Sequence, residues 1–544
     1  MDAPLAVATV VREAGVVAAS LAVAGAFVLR PPPARALAVL LAGALTPGLL
    51  VAELWNGDRF RDALSAPLIL VAAAAGLALA VAIAVLFVRR PSTFPLLVVG
   101  ALAFRVPVEV GGQSANLLVP LYVVIGGGIL GYIWRELRRA TPTASGNGRP
   151  ERPHLSVSLA LLLAGSIVLY ALQALYSTDF DQALRNLVFF YVPFALLMRV
   201  LTAVEWSRAL TVRCLTLAAG LALALAAVGF WEYAAREVLL DPNAAAASEF
   251  QSFFRVNSLF FDPNAYGQFL AIVMLLVAAL VLWGRRRRDT LVATVILAVL
   301  WVALVLTFSQ SSFAALLAGL AVLAALRWSP RIVGGGIGAV VLVGVVILLA
   351  APGIVGIDLG SGSRVNDATS GRFRLVTGGL EMFGDRPLWG YGSGSFAERY
   401  RQRERVSQFG TSISHTTPVT VAAEQGVVGL ALYVAVLAAA ARLMFGGLGG
   451  LRPRLRDDSS PLTGEGSDVR LAARAAVAAA AVALVVHTMF YGGFLENPLT
   501  WTLAAAAIAL RRPALGAEPA VASVLSEPLP ARTPERPPPA RATP

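Results

Sequence analysis

Apolar residues run along this chain in blocks of about 20 separated by short polar joints, the length at which a helix crosses a bilayer. The blocks lie near residues 14–29, 36–52, 66–88, 94–110, 115–134, 155–175, 183–203, 209–230, 265–283, 290–308, 312–326, 332–351, 418–441, 471–491 and 498–510. The first, fourth, eleventh and last are short, so the pattern predicts an all-α polytopic membrane protein with about 12–15 transmembrane helices. One polar stretch, 352–417, is too long to be a joint. The expected organisation is N-terminal transmembrane helices (1–88), a transmembrane core (89–351), this long loop (352–417), C-terminal transmembrane helices (418–512) and a tail (513–544). The tail is rich in Pro, Ala and Glu and is expected to be a disordered cytoplasmic extension.

Composition supports the same class. Of 544 residues, 57% are hydrophobic and only 14% are charged, against about 25% charged in soluble chains. A soluble domain and a disordered chain are both excluded. The single cysteine, Cys214, lies in an apolar run; an internal disulfide and a cysteine metal site are therefore not expected.

The formal charge is +12, and all 44 basic residues are arginine. Their placement argues against nucleic acid as a partner. They collect in alternate short joints: Arg30 and Arg35, Arg89 and Arg90, Arg135 to Arg139, Arg199 and Arg208, Arg285 to Arg288, Arg327 and Arg331, Arg442 to Arg456, Arg511 and Arg512. The intervening joints are poor in arginine and hold Asp179, Asp181, Glu232, Asp241, Asp262 and Glu496. The positive-inside rule puts the arginine-rich set in the cytoplasm, with the C-terminus inside and the N-terminus outside.

Four polar features then share the outward face. The long loop carries Arg364, Arg372, Arg374, Arg386, Arg399, Arg401, Arg403 and Arg405, with a helix expected over 371–384 and a tightly turned Gly390–Tyr391–Gly392–Ser393–Gly394. The segment Phe254 to Asn264 enters a span through Asp262–Pro263–Asn264, a helix start. Thr307 to Ser312 is a tight turn between spans. Ser414–His415–Thr416–Thr417 closes the long loop, and Glu424, Gly426 and Gly429 follow on the next span. Topology brings all four to one side, which implies a shared cleft of imidazole, guanidinium and hydroxyl groups. That inventory suits a phosphate-bearing lipid: arginine forks bind phosphates, and a histidine accepts a proton from an attacking hydroxyl.

At these residues the sequence resembles the O-antigen ligase and O-antigen polymerase superfamily of bacterial membrane glycosyltransferases. The matching pieces are RVNSLFFDPNAYGQFLA (255–271), LTFSQSSFAALLAGL (306–320), GRFRLVTGGLEMFGDRPLWGYGSGSF (371–396), SHTTPVTVAAEQGVVGL (414–430) and VHTMFYGGFLENPLTWTLAAA (486–506), with weaker echoes in FRVPVEVGG (104–112) and in the 176–200 region. Thr416 stands where the family usually has Asn, and Gln310 where Arg is frequent. The resemblance implies a GT-C-like helical fold in the cytoplasmic (inner) membrane. It also implies an undecaprenyl-diphosphate-linked glycan donor, a glycan, lipid or protein hydroxyl as acceptor, and no metal or other cofactor. It casts His415 as general base and Arg255, Arg372 and Arg374 as holders of the diphosphate. Asn264, Ser309 and Glu424 are expected to line the substrate site, with Glu424 placed to orient His415. His487, an ionisable group within a span, draws attention on position alone. The alternative class is a transporter or lipid-linked glycan flippase. Such proteins show internal repeats and mid-membrane charges, whereas here the polar groups gather on one face and no repeat is evident. A dolichyl-phosphate-type transferase using Asp58 and Asp62 would leave the later motifs unexplained.

Overall fold

The computed structural model describes residues 3–54, 67–110, 113–140, 157–239, 254–284, 286–336, 338, 372–404, 416–448 and 465–511. The expected 513–544 tail and His415 lie outside them, as does most of the apolar run 332–351. The described chain belongs to one unit, 1–511. Its helices are α1 (Ala3–Val28), α2 (Pro32–Leu54), α3 (Pro67–Arg89), α4 (Thr93–Ala101), α5 (Val119–Ala140), α6 (Val157–Ala174) and α7 (Phe180–Leu201). There follow α8 (Arg208–Ala235), α9 (Pro263–Trp283), α10 (Arg287–Leu306), α11 (Gln310–Arg327), α12 (Arg372–Asp385), α13 (Phe396–Glu404), α14 (Thr417–Phe445), α15 (Glu465–Tyr491) and α16 (Pro498–Arg511). Among the described residues nine helices are long and apolar enough to cross a membrane, and α3 and α6 contribute shorter apolar stretches. The chain is an all-α polytopic membrane protein.

The expected 94–110 span takes a different form. Helix α4 ends after nine residues. The chain then forms a two-stranded antiparallel hairpin, β1 (Val106–Val110) against β2 (Gln113–Leu117), with Val106 opposite Leu117 and Val110 opposite Gln113. β-Branched valines at alternate positions and the glycine pair that follows favour a strand and turn over a helix. Within α7, residues Leu187–Tyr191 form a π-helical turn.

Two packing groups build the interior. In one, α1 packs on α2 and α6, α3 on α5, and α7 on α16; in the other, α9 packs on α10, α11 and α15. α14 bridges them through α6 and α15, and carries α12.

The two ends of the helices differ in chemistry. One end is lined with arginines whose forks hold helix termini and one buried carboxylate. Arg35, only 8% exposed, donates to Glu136 at 2.6 Å, and Glu136 is 1% exposed and also pairs with Arg139. Arg511 donates to the Leu443 carbonyl at 3.0 Å, a cation at the C-terminus of α14, where the helix dipole favours it. The other end is capped by acids and hydroxyls. Asp179 accepts the Gln182 N–H of α7, Asp262 caps α9, and Ser309 caps α11. Near the N-terminus, Arg12 pairs with Asp181 at this same end.

Candidate functional site

Two turns at the acid-capped end interlock. The segment entering α9 crosses the α10–α11 turn, and the Val256 N–H donates to the Leu306 carbonyl at 3.1 Å. Ser258, Phe261 and Phe308 adopt left-handed backbone conformations, with φ of 51°, 58° and 50°. Such residues cost roughly 1–3 kcal/mol each and persist only where the surroundings enforce them. Here the enforcement is visible. Glu232 of α8 accepts the Ser258 N–H at 2.8 Å, the Ser258 hydroxyl donates to the Leu225 carbonyl at 3.0 Å, and the buried Phe260 ring packs on Tyr266 and Phe269.

This turn aims Arg255 inward. Its Nε donates to the Thr307 carbonyl at 3.0 Å and one terminal nitrogen to Asn264 Oδ1 at 3.1 Å. Asn264 Oδ1 also accepts the Ser309 hydroxyl at 2.9 Å. Asp262 accepts the N–H groups of Asn264 and Ala265 at 2.6 and 3.1 Å, and its other oxygen accepts the Tyr491 hydroxyl from the end of α15. The approach of α9 to α11 depends on Gly267, where a Cβ would stand 2.6 Å from Ser312 Oγ.

A second guanidinium reaches the same place from the hairpin segment. Arg105 is half-buried, lies over the Phe260 ring at 5.8 Å, and has a buried Nε with no hydrogen-bond partner. Burial lowers its pKa, and the neighbouring Tyr491 and Asp262 oppose that shift; an arginine so placed remains a cation. Arg105 and Arg255 both act on Tyr491 electrostatically, so two guanidiniums lie in the neighbourhood of the Asp262–Tyr491 pair.

Behind Asn264 lies a chain of neutral polar side chains. Ser309 Oγ is 3.2 Å from Ser311 Oγ, and Ser311 Oγ is 3.2 Å from His487 Nε2. His487 Nδ1 is 2.9 Å from Gln268 Nε2, and Gln268 Oε1 accepts from Asn497 Nδ2 at 2.7 Å. His487 is fully buried.

A second group is formed by residues 387–396 docked on α14. Gly390, Gly392 and Gly394 have φ of 67°, 98° and 77°, the tight turning expected of that run. At Gly426, with φ 65° and ψ −163°, α14 breaks its helical path. The carbonyls thereby released are used by the docked segment: Tyr391 N–H donates to Ala423 at 3.1 Å and Gly392 N–H to Glu424 at 2.8 Å. The Glu424 carboxylate accepts the N–H groups of Gly394 and Phe396 at 2.9 and 3.1 Å. A cavity of about 60 Å³ lies between α14, α6, α7 and the α15–α16 joint, with Glu424, Glu496, Thr417 and Tyr433 among its walls. Burial pushes the Glu496 carboxyl up to about 7.

The expected site residues divide accordingly. Arg255, Asn264 and Ser309 meet in one hydrogen-bonded group. Glu424 belongs to the second group, where it holds a backbone turn. Arg374 is 57% exposed and pairs with Glu404 of α13 at 3.2 Å. Arg372 opens α12, and its side chain is outside the described residues, as is His415. The residue that follows His415 is fixed: Thr416 donates to the Met489 carbonyl and Thr417 to the Thr488 carbonyl, each at 3.1 Å, beside His487 and Tyr491. Sequence reasoning missed Arg105, Gln268, Ser311, Tyr491 and Asn497. All of them sit in or beside apolar blocks, and only the FRVPVEVGG echo pointed at Arg105.

Comparison with curated protein sequences finds no significant match to this chain. A family model described as O-antigen ligase matches residues 295–434, from within α10 to within α14. That stretch contains the Ser309 turn, the docked loop and Glu424, and over these residues the chain is similar to the O-antigen ligase family.

Proposed function

We propose that this protein transfers a glycan from an undecaprenyl-diphosphate carrier to an acceptor hydroxyl at the outer face of the cytoplasmic membrane. The observation that carries the reading is the convergence of Arg105 and Arg255 on the Asp262–Tyr491 pair, at the helix ends opposite the arginine-lined end. Two forked cations suit a diphosphate, whose oxygens accept paired N–H donors. The positive-inside rule puts the arginine-lined end in the cytoplasm, and with it Arg511 and the C-terminus.

In the proposed reaction His415 takes the proton from the acceptor hydroxyl, whose oxygen attacks the anomeric carbon. The bond from that carbon to the phosphate oxygen breaks, and the diphosphate keeps the electron pair. Its added charge is stabilised by arginine forks, and protonation of the leaving group is not needed. A single in-line displacement inverts the sugar carbon. Thr416 and Thr417 are tied to the end of α15; the role of His415 is part of the proposal. Arg372 and Arg374 are proposed as contacts to the donor's outer phosphate or glycan from α12.

The test is transfer in vesicles holding the purified protein and the cell's own lipid-linked glycan pool, with and without chelator, for wild type and His415→Ala. Donor consumption that resists chelator and disappears in a folded His415→Ala protein is expected, and product size then separates ligation from polymerisation. Movement of the carrier between leaflets without consumption overturns the reading in favour of a flippase.

A further inference from the structure

We propose that His487 is a positioning residue that fixes the direction of Arg255 through a one-way chain of hydrogen bonds; the inference rests on the proposed role of Arg255 in holding the donor diphosphate. The direction is set at a backbone group. The Leu499 N–H donates to Asn497 Oδ1 at 3.0 Å, which turns the Asn497 amide nitrogen toward Gln268 Oε1 at 2.7 Å. Gln268 then presents its own nitrogen to His487 Nδ1 at 2.9 Å. An amide nitrogen only donates, so Nδ1 accepts, and the ring proton stands on Nε2. Nε2 donates to Ser311 Oγ at 3.2 Å.

The far end is equally constrained. A guanidinium only donates, so Asn264 Oδ1 accepts from Arg255 at 3.1 Å. It accepts the Ser309 hydroxyl as well, at 2.9 Å. With the Ser309 proton committed there, Ser309 Oγ receives the Ser311 hydroxyl at 3.2 Å. Every link points the same way, from the start of α16 to Asn264, and aligned hydrogen bonds polarise one another. The chain runs through buried or half-buried side chains from the α15–α16 joint, α9, α15 and the start of α11, so it also locks the register of those helices around the donor site.

Two consequences distinguish this from packing. First, His487 is not a second base: its Nδ1 lone pair is taken by Gln268, and its other nitrogen carries the proton. Second, the two ring nitrogens have separable jobs that amide side chains can imitate one at a time. Gln reaches the Nε2 position and can donate to Ser311. Asn reaches only the Nδ1 position and can meet Gln268 alone.

The experiment uses the full protein in lipid nanodiscs. Affinity for glycan-free undecaprenyl diphosphate is measured directly, alongside donor KM, kcat and the melting temperature. His487→Ala is expected to weaken carrier binding and raise donor KM by about tenfold, the loss that a small misorientation of a binding group produces. His487→Gln is expected to stay within about threefold of wild type and His487→Asn to fall with Ala, since only Gln restores the donor to Ser311. Ser311→Ala should reproduce the His487→Ala loss, and the double variant should be no worse, the signature of one shared chain. Equal carrier binding in wild type and His487→Ala overturns the proposal. So does a loss that Gln and Asn share, following melting temperature alone, because that is packing. Failure of wild type to bind the carrier or transfer glycan instead overturns the functional reading, so the two failures are distinguishable.

Discussion

Replacing Gly426 by alanine tests how the docked loop is held against α14. At φ 65° and ψ −163° the residue occupies a region that is essentially glycine-only. An alanine Cβ would stand 2.3 Å from the Leu388 carbonyl oxygen and 2.6 Å from the Trp389 nitrogen. Both are backbone atoms, and no side-chain rotation relieves them. The protein has two responses. If the contact persists, strained backbone alone costs about 1–3 kcal/mol, with the steric conflict added. If the loop separates, it gives up the Tyr391–Ala423, Gly392–Glu424 and Val427–Pro387 backbone hydrogen bonds, at 3.1, 2.8 and 2.7 Å, and the Gly394 N–H bond to the Glu424 carboxylate at 2.9 Å. At about 1 kcal/mol each, separation costs roughly 4 kcal/mol. Either route lowers the opening free energy of residues 387–396 by about 3 kcal/mol, which is about 100-fold in amide exchange. Hydrogen–deuterium exchange of peptides covering this segment, in nanodiscs, reads the effect. The control is Gly220→Ala in α8, where no atom lies within 4 Å of the new Cβ and alanine is the better helix former. Unchanged exchange of 387–396 in a folded Gly426→Ala protein would refute the docking argument.

Four further outcomes follow from the same geometry. Arg105→Ala is expected to lower kcat/KM for the donor by about 10–100-fold, the worth of charge-assisted hydrogen bonds, with little change in melting temperature because its Nε has no partner within the protein; Arg105→Lys should not restore the loss, since an ammonium lacks the fork. Glu424→Gln turns an amide nitrogen toward the Gly394 or Phe396 N–H and should destabilise the docked turn by about 1–3 kcal/mol, read as a lower melting temperature. Glu136→Ala leaves Arg35 buried and unmatched by its carboxylate and should cost about 3–5 kcal/mol of stability with donor KM unchanged. For Glu496, raised from 4.5 to about 7 by burial, the folded state keeps a proton that the unfolded chain has released across this window. The resulting stability is present at low pH and is lost as pH rises through about 7; melting temperature should therefore fall more steeply between pH 5 and 8 in wild type than in Glu496→Gln.

The helical framework was legible because its cause is local. A run of apolar residues commits a segment to the bilayer whatever surrounds it, and Asp262–Pro263 marks the start of α9 by the same local chemistry that caps it in the structure. The 94–110 stretch shows where this fails. Its apolar content is as high as that of a span, but alternate valines before a glycine pair form a hairpin after a nine-residue helix, and the hairpin segment carries Arg105 to the site. The arginines illustrate a second reason. Counting them along the sequence made the 352–417 loop the richest source of phosphate ligands. In the folded chain Arg374, Arg401 and Arg403 are matched by Glu404, Glu398, Glu381 and Asp385 on the short helices that carry them. Arg105 is acted on by an acid from a distant part of the chain. Asp262, the cap of α9, opposes it with an oxygen already given to Tyr491. A cation kept near the membrane with an unused donor is what a phosphate requires, and that condition is a property of the tertiary arrangement. The same holds for Gln268 and Ser311. In sequence they are neutral polar residues in apolar helices. Only the meeting of α9, α11 and α15 makes them the two neighbours that decide which nitrogen of His487 carries the proton.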